Sequence, residues 1–252
     1  MPDWVRTYTS SSVDYQQAFD VFLAHTDEKT KIRDHLDSLI ASLPVRRTLI
    51  DVGAGNGALT YWAGERFEKT IAIEPNPSLR EGLTRRCPHA EVIPHQLAVV
   101  NRPLAGDLIL CSHVLYYLAQ QEWLPSLMKM ASWLAPQGIL VVILQSRDCD
   151  CSQVVSHFQG QCVDLVPFGR KVESALAERF EVKLERVPAQ VRTGDLSTAY
   201  TVAEFMLNLL PLQRPVRRGE VETYLQQHCA VPGNGFRLSL DQDFLTMRLH
   251  HH

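Results

Sequence analysis

The chain has 252 residues, 45% of them hydrophobic and 21% charged, enough to bury one large core. Its formal charge of −3 leaves no electrostatic footprint for DNA or RNA, and the pairs Arg46-Arg47 and Arg217-Arg218 read as solvated surface. No apolar run reaches the length of a membrane span and no signal-peptide layout opens the chain, so a soluble cytoplasmic protein without nucleic-acid or membrane partners is expected.

After the polar stretch Tyr8-Thr9-Ser10-Ser11-Ser12, the residues Tyr15, Phe19, Phe22 and Leu23 fall on one face of a helix. Asp27 is positioned to cap a second helix running to about Ser42, with Ile32, Leu36, Leu39 and Ile40 inward and Pro44 beyond its end. A sheet does not need two helices ahead of its first strand, so residues 1–47 are expected to form a cap over its ligand-binding end.

The run Thr48-Leu49-Ile50-Asp51-Val52-Gly53-Ala54-Gly55-Asn56-Gly57 follows, an apolar strand passing into three glycines at alternate positions. Such a turn lets backbone approach a ligand closely. Asp51 would stand at the carboxyl end of the strand, where open α/β sheets bind ligands. Its charge opposes a pyrophosphate but favours a ligand carrying ammonium and sulfonium groups. The next apolar run, Thr70-Ile71-Ala72-Ile73, closes on Glu74, whose carboxylate can accept both hydroxyls of a ribose. Acid at both strand ends suits S-adenosylmethionine better than NAD.

A helix over 57–66 with Asn56 as cap is expected next, then one over 78–87 with Pro77 at its first position. Strands are expected over 90–96 and 107–111, a helix over 121–134, and a turn at Pro136-Gln137-Gly138 into a buried strand over 139–144. A short helix around Val154, Val155 and Phe158, a covering helix over 172–179 and an alternating edge strand over 180–187 follow. Two helices, 201–210 and 217–229, separated by Pro211 and Pro215, form an insertion spanning about 190–232; residues 236–247 read as one closing strand. Asp195, Tyr200, Asp241 and Asp243 are polar candidates there without a specific signal. The cysteines at 87, 111, 149, 151, 162 and 229 lack metal-ligand spacing and are expected to be reduced thiols, with no metal bound. The closing histidines read as a purification remnant.

The glycine stretch resembles motif I of the class I S-adenosylmethionine-dependent methyltransferases, and Ile73-Glu74-Pro75-Asn76-Pro77 resembles their acidic loop. The resemblance covers roughly residues 45–145 plus a closing strand. It implies a Rossmann-like α/β fold: a seven-stranded, mostly parallel sheet with its last strand antiparallel, in a single domain, with a helical lid from the N-terminal helices and the insertion. It also implies S-adenosyl-L-methionine as cofactor, held by Asp51, Gly53, Ala54, Gly55, Glu74, Pro75 and Ser112, with Gln96 and Leu97 placed against adenine by position alone.

Two segments resemble the histamine N-methyltransferases more narrowly: Tyr15-x-x-x-Phe19-x-x-Phe22-Leu23-x-His25-x-x-Glu28, and Ser112-His113-Val114-Leu115-Tyr116-Tyr117. That likeness implies amine contacts at Tyr15, Phe19, Glu28, His113 and Tyr117, with His113, Glu28 and Tyr15 as candidate catalytic groups. Histidine at 113 departs from a glutamine in that family. Phe22 reads as helix packing, and Tyr116 and Tyr117 as core, with Tyr117 the one that could reach a pocket. The function implied is methyl transfer to a nitrogen of a small amine or imidazole, in a monomer or homodimer. The alternative keeps the cofactor but attacks its aminocarboxypropyl chain, as in azetidine-2-carboxylate formation with release of methylthioadenosine. An NAD-dependent oxidoreductase and an inactive cofactor-binding partner protein fit the two strand-end carboxylates and the substrate-like cap less well.

Overall fold

A computed structural model describes residues 3–8, 12–160, 163–209, 212–233 and 235–250. Expectations for Thr9, Ser10, Ser11, Cys162, Leu210, Pro211, His251 and His252 lie outside the described residues. In chain order the elements are α1 (Val13–His25), α2 (Glu28–Ala41), β1 (Thr48–Val52), α3 (Ala58–Gly64), β2 (Lys69–Ile73), α4 (Pro77–Arg86), β3 (Glu91–Ile93), β4 (Gly106–Ser112), α5 (Trp123–Ala131), β5 (Leu134–Gln145), α6 (Asp150–Gln159), α7 (Leu165–Leu176), β6 (Phe180–Val187), β7 (Gln190–Thr193), α8 (Leu196–Leu207), α9 (Arg218–His228), β8 (Ala230–Val231), β9 (Gly235–Ser239) and β10 (Gln242–Leu249). They fall into two compact units. No helix among the described residues is long and apolar enough to cross a membrane.

One unit comprises His35–Leu144, Leu165–Glu185 and Asp243–His252 and carries a seven-stranded sheet in the order β3-β2-β1-β4-β5-β10-β6. β1 pairs in parallel with β2 and β4, β2 with β3, and β4 with β5. This is a Rossmann-like, mixed and mostly parallel sheet. Leu108 to Cys111 of β4 and Leu140 to Leu144 of β5 are wholly buried, as expected of strands covered on both faces. Asp107, at the start of β4, accepts the amides of Arg47 and Thr48 at 2.8 Å each, which fixes β1 beside β4 at their amino ends. From β1 the chain proceeds outward to β3 and then returns to β4. The switch in direction therefore lies between β1 and β4, and it is outside the carboxyl ends at such a point that open α/β sheets hold their ligands.

The other unit comprises Met1–Asp34, Gln145–Asp164 and Arg186–Gln242 and has its own apolar core. Its small sheet has the order β7-β9-β8 with antiparallel pairing, and α1 lies on α8 through Phe22 and Phe205, ring centroids 5.1 Å apart. Glu204 of α8 is fully buried and accepts from the Arg6 amide at 2.9 Å, the Arg6 guanidinium at 2.7 Å, Tyr200 at 2.8 Å and the Tyr8 hydroxyl. Burial alone would push Glu204 up, but the bonds from Arg6, Tyr8 and Tyr200 prevail and hold it below the usual carboxylate range. Both phenols are pushed up, by burial and by the carboxylate they serve.

Several local expectations need correction. Asp27 does not cap α2: its carboxylate accepts the Gln190 amide at 2.7 Å, while the Thr26 hydroxyl accepts the Glu28 amide. Gly57, in a left-handed conformation, holds the N-cap position of α3, and Asn56 merely accepts the Ala58 amide at 3.3 Å. Pro136-Gln137-Gly138 is no turn but part of β5, in a stretch where the pairing with β4 shifts register between Gly106 and Leu108. A Cβ at Gly138 would lie 2.6 Å from the Gly106 carbonyl, so the close approach of the two strands requires glycine there. β3 stops at Ile93, the helix expected over 121–134 is limited to α5, and α7 begins at Leu165 rather than Val172. The single closing strand is two strands, β9 in the small sheet and β10 in the large one. The break falls at Leu240-Asp241, where Ala189 accepts the Leu240 amide and Asp241 offers its carbonyl to Ser146 and its carboxylate to Ala189.

Glu204→Leu should lower stability to denaturant by about 2 kcal/mol, because two buried hydroxyls lose their acceptor. A carboxyl held low in the folded state stabilises at neutral pH and loses that contribution as pH falls through its own range. Urea titrations across pH should therefore show Glu204→Gln losing less stability than the parent on acidification.

Candidate functional site

The three alternating glycines all have positive φ: +73° at Gly53, +56° at Gly55 and +80° at Gly57. Side chains rarely adopt this conformation, so the loop after β1 depends on glycine for its shape. The amides of Gly53 and Ala54 both reach the Ile73 carbonyl, at 2.8 and 3.1 Å, and so bind the loop to the end of β2. A Cβ at Gly53 would lie 2.3 Å from Val114 Cγ2, whereas one at Gly55 would meet nothing within 4 Å. Gly53 is thus enclosed, and Gly55 borders open space at the mouth of the crevice.

Two buried carboxylates flank this loop. Asp51 is 3% exposed and receives a 2.6 Å bond from the Thr60 hydroxyl in the first turn of α3. Its carboxyl is pushed up to about 6, chiefly by burial, against the Thr60 bond and with a further push from the Glu74 charge. Glu74, 5% exposed just beyond β2, accepts the Gly55 amide on one oxygen and the Asn76 amide on the other, each at 2.8 Å. Each carboxylate oxygen carries two lone pairs, so this bracing leaves Glu74 further acceptor capacity toward a diol. Pro75 is exposed beside it, and its carbonyl accepts from Arg80 at 2.5 Å. Beneath the loop, Ala54, Ala72, Leu83 and Cys87 form a small apolar cluster. Arg86 clamps the loop from outside, donating to the Asn56 carbonyl and side chain at 3.0 Å each.

β4 delivers the remaining groups. Ser112 is its last residue, half-buried, paired with Ile143 of β5. His113 follows at φ +58°, the one non-glycine residue with positive φ among those described. Its amide donates to the Ile143 carbonyl at 2.9 Å, and its ring stacks on Tyr116 with centroids 5.9 Å apart. Side chains rarely adopt this conformation, and its cost has to be met by the surrounding structure. Leu115 is buried and Tyr116 half-buried, but Tyr117 is 73% exposed, which corrects its expected place in the core. After β3, Gln96 is exposed and Leu97 is 8% exposed in a short 3₁₀ turn.

The expected amine contacts Tyr15, Phe19 and Glu28 lie in the other unit. Tyr15 and Phe19 are half-buried, each with its centroid 5.5 Å from Phe205, and Phe22 is buried as read from the sequence. Glu28 is 4% exposed, with the Lys29 ammonium 3.4 Å from one oxygen.

Sequence reasoning missed Thr60, Val114, Arg86 and Phe205. Thr60 carried a usable signal: a hydroxyl one turn into an apolar helix, on the face turned toward a strand-end acid. The sequence marks Glu74 for a ligand, while its bond to Gly55 follows only from the loop geometry.

Residues 23–190 match a family described as methyltransferase domain. No curated protein matches the chain. Among solved structures it resembles the N-methyltransferase NodS from Bradyrhizobium japonicum in complex with S-adenosyl-L-homocysteine, with 16% identity and a TM-score of 0.55 over 95% of this chain and 100% of that one. It also resembles the YcgJ protein from a Bacillus, with 12% identity and a TM-score of 0.57 over 87% and 99% of the two chains. A complex named DhpI-SAM-HEP matches at 11% identity and a TM-score of 0.52, over 68% and 86%. At these identities the likeness concerns the fold.

The strain at His113 can be isolated by comparing two truncations. His113→Ala should be less stable than His113→Gly by about 1 kcal/mol, reversing their order in ordinary helices, because only glycine occupies φ near +58° without cost. Thermal unfolding of the pair measures this.

Proposed function

The chain belongs to the methyltransferase-domain family, and from that premise we propose that it binds S-adenosyl-L-methionine and methylates a nitrogen of a small amine or imidazole. The observation that carries the cofactor reading is the pair of buried carboxylates joined through the Gly55 loop at the carboxyl ends of β1 and β2. The residues suit the cofactor in charge and in space: Asp51 lacks a cationic partner among the described residues, and Gly55 faces open volume. In this reading Asp51 serves the amino acid end, and Glu74 accepts the ribose hydroxyls while still bracing Gly55. Ser112 and Ala54 border the same crevice, and Pro75, Gln96 and Leu97 lie on the nucleoside side.

When bound, the cofactor supplies a methyl group on a cationic sulfur whose departure as a neutral thioether needs little electrophilic help. What remains for the protein is to orient the acceptor and manage its proton. A protonated amine has no free electron pair, so a base must take its proton before attack. The imidazole of His113, at the tip of β4, is assigned that role. Glu28 offers a buried carboxylate to a cationic acceptor, and Tyr15 and Phe19 offer aromatic faces that attract the same charge. Tyr117 is assigned as a further acceptor contact because it lies just beyond the tip of β4 and is exposed there.

Incubation with S-adenosyl-L-methionine and a panel of amines, imidazoles and phenols should yield S-adenosylhomocysteine with a nitrogen acceptor. Release of methylthioadenosine instead would overturn the methyl-transfer reading. Asp51→Ala and Glu74→Ala should abolish thermal stabilisation by the cofactor. Affinity should also depend on pH in one direction. The free Asp51 carboxyl titrates at about 6 and a cationic ligand requires it ionised, so affinity should be level above that pH. Below it, affinity should fall by up to about tenfold per pH unit, as calorimetric titration would show. Glu28→Gln should raise KM for a cationic acceptor by about tenfold, one lost charge-assisted contact, while cofactor affinity holds.

A further inference from the structure

We propose that the unit containing α6, α8 and α9 carries a separate binding site for a planar aromatic monocarboxylate, in a cleft of about 850 Å³ bounded by the Asp3-Trp4 segment, the end of α6 and α9. None of its residues serves the cofactor or acceptor reading above.

The cleft is built on ordered backbone. Val5 donates to the Val216 carbonyl at 2.9 Å and Arg218 to the Asp3 carbonyl at 3.0 Å, with Trp4 bridged to Arg217 in antiparallel fashion. Trp4 is therefore held in place although 46% exposed. The Arg217 guanidinium lies over its indole, 5.3 Å from the ring centroid. The lining includes further aromatic rings. The Tyr224 ring lies 4.8 Å from His157 and 4.4 Å from His228, both in the last turns of their helices. A flat apolar body can thus stack against indole, phenol and imidazole faces.

The charge pattern selects the ligand's polar group. Arg214 is committed to the end of α6, donating to the Phe158 carbonyl at 2.7 Å and the His157 carbonyl at 3.4 Å. Arg218 is paired with Glu222 at 2.6 Å. Arg217 alone of the three has a guanidinium with neither an ion pair nor a hydrogen bond among the described residues, which leaves its donors for a bidentate carboxylate. Asp3 and Glu220 line the same cleft, so a second negative charge on the ligand would be repelled. A monoanion fits where a phosphate dianion does not. A metal site is not supported: no cluster of three His, Cys, Asp or Glu groups exists among the described residues.

The test is calorimetric titration of the full chain with naphthoate, without S-adenosyl-L-methionine, so that the outcome is independent of the cofactor reading. Saturable binding with Kd below about 1 mM is expected, with neutral naphthamide and dianionic naphthyl phosphate each at least about tenfold weaker. Arg217→Met, which retains the apolar stem, and Trp4→Ala should each weaken naphthoate by about tenfold. Arg237→Met, at an exposed position on β9, should leave it unchanged, with circular dichroism confirming that all variants are folded. Equal affinity for acid and amide, tighter binding of the phosphate, undiminished binding by Arg217→Met, or no saturation would each overturn the proposal.

Discussion

The bond from the Gly55 amide to the buried Glu74 carboxylate is the constraint on which the crevice depends. It links the tips of two adjacent strands and sets the path of the loop between them. Burying a carboxylate is costly unless its oxygens are satisfied, and the two acids differ sharply in how this is met. Glu74 takes two backbone amides, one on each oxygen. Asp51 takes a single hydroxyl and is pushed to about 6 as a result. One of the two acids is thus left under-compensated for its burial. The same arrangement explains why the loop needs glycine at positions 53 and 55: their amides must point inward to bond the end of β2 and Glu74.

The second unit solves a comparable problem with different residues. Glu204 and Phe205 are neighbours on α8, and successive helical positions face roughly 100° apart. Glu204 therefore turns toward Arg6 and Tyr8, while Phe205 turns toward the aromatic face of α1. One helix both anchors the chain's beginning and supports Tyr15 and Phe19. Their half-buried rings follow from that support, which leaves part of each aromatic face available.

The parallel sheet was legible because buried strands are continuous apolar runs and the glycine spacing is strict. Asp51 and Glu74 could be picked out as acids at the ends of such runs. The small sheet escaped because nothing between Phe236 and Met247 marks a break. Neither glycine nor proline stands there, and the change of sheet is made by Asp241 bonding backbone distant in sequence. The Glu204 network escaped for a related reason, since its partners Arg6 and Tyr8 lie about 200 residues away and no local pattern records them. Pro136 and Gly138 misled, because a strand that tolerates a register shift can contain residues that usually mark a turn. His113 stands out in the sequence for its chemistry, while its backbone conformation is a tertiary property that a lone histidine does not reveal.

The two units are interleaved along the chain, with three segments each and five passages between them. No single cut separates them, and trimming from the carboxyl terminus removes β10 from the large sheet before it touches the smaller unit. Domain shuffling by recombination is therefore a poor route to diversification for this architecture. Change in the smaller unit has to accumulate by point substitution and by lengthening its three separate segments, while the strands that end at Asp51 and Glu74 remain as they are.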